Sequence, residues 1–162
     1  MKLHIFILSI VMIIISSCDG GLAPKPVAEK TFLKGTVHFV KGVSNWPPTD
    51  SVLGIRVAAF KSMPDSNIIL SILSGQAYFT GESLGSYKDS LNFNIEIPDA
   101  PVDIVYIVAV QQYTTEITNQ KVIGVYTLTG DKTKHSNILI EKGRTYDIDI
   151  DVDFDDLPPM PF

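Results

Sequence analysis

The chain has 162 residues, and its 18 acidic against 13 basic side chains give a formal charge of −5; that length suits one domain and leaves little for a second core. An acidic chain without clustered Lys and Arg lacks the electrostatic footprint that nucleic acid or anionic lipid headgroups require. A single cysteine excludes an internal disulfide, so stability has to come from a hydrophobic core.

Residues 5–15 form an apolar run behind the lone basic Lys2, closed by Ser16 and Ser17 and followed directly by Cys18. A spanning helix needs roughly 20 apolar residues, and this run is shorter and ends in serines, which is the order of a secretory signal. Ile15-Ser16-Ser17-Cys18 resembles the lipobox of bacterial lipoproteins. The resemblance implies removal of residues 1–17, a diacylglycerol thioether on Cys18 and acylation of the new amino group, with the membrane as a partner through this anchor. Durable anchoring takes several chains, since each buried methylene adds only about 0.8 kcal/mol. Cleavage removes Lys2 and no acid, so 12 basic against 18 acidic side chains leave a formal charge of −6. Asp19 resembles a signal that some diderm bacteria use for inner-membrane retention; other groups do not use it, and the outer membrane is the favoured address. Residues 18–31, with Gly20, Gly21, Pro24 and Pro26, read as an extended, solvated tether, and residues 32–162 as the folded domain.

Residues 32–40 alternate, with Leu33, Gly35, Val37 and Phe39 on one side and Lys34, Thr36 and His38 on the other. Period two predicts a strand with one wet face. Trp46-Pro47-Pro48-Thr49-Asp50 interrupts any ladder, because proline has no N–H to donate. Residues 52–60 resume as a strand, with Ile55, Val57 and Ala59 opposed to Arg56, Ala58 and Phe60. Asp65-Ser66-Asn67 can cap a short helix over 68–73, with Gly75 as its stop; a strand over the same aliphatic run is the alternative. Residues 79–90 read as a long loop. Leu91, Phe93, Ile95 and Ile97 alternate with polar residues up to Pro98, and residues 102–110 are apolar nearly throughout, as in a central strand covered on both faces. Strands are further predicted over 121–129, 138–140 and 146–154, the last two joined by a turn at Lys142-Gly143. The expected fold is all-β: a single antiparallel, Greek-key-type β-sandwich of about seven strands with one short helix inserted.

The phrases Leu33-Lys34-Gly35-Thr36-Val37, Ile55-Arg56-Val57-Ala58-Ala59-Phe60, Phe93-Asn94-Ile95-Glu96-Ile97-Pro98 and Val105-Tyr106-Ile107-Val108-Ala109-Val110, closed by Ile138-Leu139-Ile140-Glu141-Lys142-Gly143 and residues 146–154, resemble the carboxypeptidase regulatory-like domain. That resemblance implies a prealbumin-like (transthyretin-like) sandwich and an accessory, non-catalytic role; the insertion at 62–90 departs from the compact form. Residues 46–52 and 155–162 also resemble small envelope lipoproteins of diderm bacteria.

Asp147, Asp149, Asp151, Asp153 and Asp155 alternate with apolar residues and share one strand face. Alternate strand residues lie roughly 7 Å apart, too far for one calcium ion to bridge more than two of them without loop ligands, so a solvated face is the plainer reading and a calcium site the alternative. His38 and His135 belong to no zinc pattern, and neither a G-x-S-x-G elbow nor a phosphate-cradling glycine loop is present. No catalytic residue or cofactor is therefore assigned, and an enzyme is not expected. Trp46, Tyr113 and Tyr126 are candidates for an aromatic platform that would take a glycan or an envelope protein; a Trp46 plug beside Pro47 and Pro48 is the favoured account of that residue. The proline-rich residues 157–162 read as a strap, with a peptide offered to a partner as the alternative.

Overall fold

A computed structural model of the chain describes residues 29–64, 68–116 and 119–160. Cys18, the leader, nearly all of the tether and the cap at Asp65-Ser66-Asn67 lie outside these residues. The order is β1 (Phe32–Phe39), β2 (Gly54–Phe60), α1 (Ile68–Leu73), β3 (Ala77–Phe79), β4 (Ser90–Glu96), β5 (Val102–Ile104), β6 (Tyr106–Gln112), β7 (Gln120–Val125), β8 (Ile138–Ile140) and β9 (Thr145–Val152). Single 3-10 turns, Val43–Asn45 and Thr49–Ser51, occupy the connection between β1 and β2.

The sandwich sets a three-stranded sheet, β4-β1-β9, against a four-stranded sheet, β3-β2-β6-β7, and β5-β8 forms a short third ladder. The strands facing water on one side behave as their period requires: β4 alternates without exception, and on β9 Ile148, Ile150 and Val152 point inward between exposed aspartates. Their inner residues meet Ile55, Val57 and Ala59 of β2, Ile107 and Ala109 of β6 and Ile123 of β7 in one core. β2 and β6 are buried on both faces because Ile68 of α1, with Ala77, covers the outer side of their sheet over Ala58, Phe60, Tyr106, Val108 and Val110. The aliphatic run at 68–73 is thus helical, and Gly75, at φ +75°, ends it by donating to the Ile72 carbonyl at 3.0 Å.

The architecture is the all-β sandwich expected, with three differences. There are nine strands instead of seven. The apolar run at 102–110 serves two ladders: β5 pairs with β8, and after Val105 the chain joins β2 and β7 as β6. β3 adds a ninth strand too short to show a period. One pairing is parallel, with β1 from Phe32 to Phe39 lying beside β9 from Thr145 to Val152, whereas the other pairings are antiparallel. The strands predicted at 121–129 and 146–154 end earlier, at Val125 and Val152.

Tyr106 lies on the outer face of β6, buried at 3% exposure, with its ring edge-on to His135 at 5.5 Å. Burial pushes its phenol from 10.0 up to about 12. A raised folded-state value means that this contribution to stability is complete below pH 10 and is lost as pH rises to 12, where the unfolded chain ionises first. The expected loss at full ionisation is roughly 2–3 kcal/mol. Urea unfolding followed across that window should show the midpoint falling, and Tyr106→Phe should flatten the fall; Tyr78, also pushed up to about 12 by burial, supplies part of what persists.

Candidate functional site

The end of the sandwich holding the β1–β2 connection carries an open cleft of about 430 Å³, lined by Pro47, Ser51, Gln111, Tyr113, Lys121, Phe154 and Leu157. Inward parity carries Gln111 at the end of β6 toward the interior, where it is buried and its Nε2 donates to the Ser51 carbonyl at 2.7 Å. That bond fixes the connecting loop to the sheet. Tyr113, just beyond β6, is 43% exposed and forms one wall.

Trp46 closes this end from beneath. It is 9% exposed and packs on Phe39, Tyr87 and Phe154 at ring separations of 4.2, 5.0 and 5.4 Å. Its Nε1–H donates to the Lys88 carbonyl at 3.2 Å, and the Tyr87 hydroxyl donates to the Pro47 carbonyl at 2.8 Å. The ring is a plug, so the platform of Trp46, Tyr113 and Tyr126 is not assembled: the Pro47-Pro48 turn folds the indole inward, where its area is removed from water. Tyr126 is half-buried at the far end of β7, its N–H bonded to the Ile107 carbonyl, and burial raises its phenol. From Ile107 to Tyr113 the strand advances about 20 Å, so the two tyrosines cannot share one small ligand.

On β9 the parallel pairing sets the carboxylates beside basic side chains of β1 and the loop after it. Lys34 lies 3.6 Å from Asp147, His38 3.6 Å from Asp149, and Lys41 3.1 and 2.8 Å from Asp153 and Asp155. The backbone N–H of Asp155, and then Lys41, hold the Asp153 carboxyl below the usual carboxylate range. Asp149, Asp151 and Asp153 line a shallow cleft of about 210 Å³ with Thr127 and Lys132. Among the described residues no three His, Cys, Asp or Glu side chains converge as a bound metal would need. His38 and His135 are both exposed and sit on different elements.

A second groove, of about 270 Å³, runs between α1 and the outer face of the four-stranded sheet. Ala58 and Val110 form its floor, Ile69, Ile72 and Leu73 one wall, and Arg56 and Gln120 line it with Phe79 and Gly81. Arg56 shares the face of Ala58 and Phe60, and one cation in an otherwise apolar strand face was the visible sign of this place. The rest of the groove joins segments far apart in the chain, which no local period reveals. No protein-family model, curated protein or solved structure matches the chain.

Proposed function

We propose that the chain is a lipid-anchored module of the bacterial cell envelope, with the outer membrane favoured, whose β-sandwich binds an envelope protein or glycan or serves structurally, without catalysis. The observation that carries this reading is the order Lys2, apolar run, Ser16, Ser17, Cys18, followed by a glycine- and proline-containing tether that ends where β1 begins at Phe32. A thioether at Cys18 would hold a water-facing sandwich close to the bilayer surface. The absence of a nucleophilic motif in the sequence favours binding over turnover.

The test is palmitate labelling of cells producing the wild type or Cys18→Ala. The expected result is labelled wild-type protein in the membrane fraction with residues 1–17 removed, and Cys18→Ala that is unlabelled and retains its leader. An intact-mass measurement that finds wild type free of fatty acid would end the reading. Calcium-dependent binding through Asp147, Asp149, Asp151 and Asp153 is the alternative, and it requires the ion to displace Lys34 and Lys41 from their carboxylates; absence of heat in a calcium titration removes it.

A further inference from the structure

We propose that the groove under α1 binds a medium-chain aliphatic carboxylate, with Arg56 holding the head and the sheet face holding the chain. This goes beyond the envelope reading and does not depend on Cys18 being acylated.

The charge argument begins with Arg56. It is half-buried, yet among the described residues it has no carboxylate within 4.0 Å; each of the other lysines and arginines described either has one or is exposed. A half-buried guanidinium without an acid is out of place in a chain with an excess of acids. Its Nη1 donates to the Thr80 and Gly81 carbonyls at 3.0 and 2.8 Å, which fixes the plane of the fork. The opposite edge, Nε and Nη2, keeps three N–H donors in the geometry that matches two carboxylate oxygens.

The apolar argument is independent. Beyond Arg56 the groove is bounded mainly by Ala58, Ile69, Ile72, Leu73, Phe79 and Val110, with Gly81 and the polar Gln120 completing its lining. Leu73 and Phe79 are 77% and 43% exposed at its margin, and Leu70, on the same helix, is 62% exposed. Alanine at position 58 opens the floor where a larger side chain would fill it. At about 270 Å³ the groove has room for an aliphatic chain of medium length. An aliphatic chain with one carboxylate satisfies the cation and covers the aliphatic wall together, whereas a neutral sugar offers neither a charge for Arg56 nor a long apolar surface.

The experiment uses the full chain in phosphatidylcholine vesicles, photolabelled with a diazirine analogue of decanoate and mapped by peptide mass spectrometry. The expected result is label on the peptides spanning α1 and β3, displaced by decanoate but not by decanol or decyltrimethylammonium. Arg56→Gln should cut labelling at least about tenfold, the loss expected for a charge-assisted bidentate contact, and Arg56→Lys should restore part of it. Ala58→Leu should abolish labelling with the cation intact. Displacement of the wild-type label by decanol as well as by decanoate would overturn the proposal without any variant having to fold. Stronger competition by decyl phosphate, label mapping outside the groove, or unchanged labelling of a folded Arg56→Gln protein would overturn it as well.

Discussion

Gly35→Ala is expected to destabilise the fold by more than about 4 kcal/mol, among the largest costs of any single substitution. Gly35 sits in the middle of β1, directly across the parallel ladder from Ile148. A Cβ there would fall inside the envelope of the Ile148 carbonyl oxygen and 2.7 Å from its carbonyl carbon. Both atoms are backbone, so no side-chain rotation relieves the clash, and β1 must separate from β9 along the centre of the three-stranded sheet. The separation uncovers Leu33 and Val37, both at 0% exposure, from Ile150. A cost above about 4 kcal/mol approaches the lower end of a typical net stability of roughly 5–15 kcal/mol. Gly81, which has nothing within 4 Å of an added Cβ, is the control, and Gly81→Ala should change stability by no more than about 0.5 kcal/mol. Circular dichroism and urea melts of both variants check the pair; a Gly35→Ala melt superimposable on wild type would mean that β1 and β9 are not paired in this register.

Trp46→Ala should cost about 3–5 kcal/mol, the range for removing a buried large aromatic. The indole carries three ring contacts and one hydrogen bond that join the end of β1, the Tyr87 loop and the segment after β9. Its loss leaves Phe39 and Phe154 facing a cavity and the Lys88 carbonyl without its donor. Trp46→Phe should be much milder, near 1–2 kcal/mol, because it keeps most of the ring and gives up the N–H. Trp46 is the sole tryptophan, so its emission reports the same event in wild type, blue-shifted when folded and moving to the red on unfolding. A native spectrum already red-shifted to that of free indole in water would place the ring on the surface and revive the platform of aromatic residues.

The strands that face water on one side were legible because burial on a single side imprints period two on Leu91, Phe93 and Ile95 and on Ile148, Ile150 and Val152. The helix over 68–73 was legible from the spacing of Ile68, Ile69 and Ile72, two of which face the sheet. What local pattern could not carry was partnership. Nothing around Phe32 announces Thr145 as its parallel neighbour, and a continuous apolar run has no mark at Val105 where the ladder changes. The same limit applied to the sites. Trp46 could be placed as a plug from Pro47 and Pro48, which turn the chain beside it. The lysine partners of the β9 carboxylates followed only from the β1–β9 register, and the Arg56 groove only from where α1 comes to rest.

The parallel union of β1 with β9 also dictates when the molecule can exist. A ribosome releases the opening strand long before the closing one has been made, and until then one side of β1 is a bare hydrogen-bonding edge. Closure over so long a stretch of polypeptide is slow. Under the export proposed above, that delay would keep the chain passable through a narrow translocation pore until β9 is through.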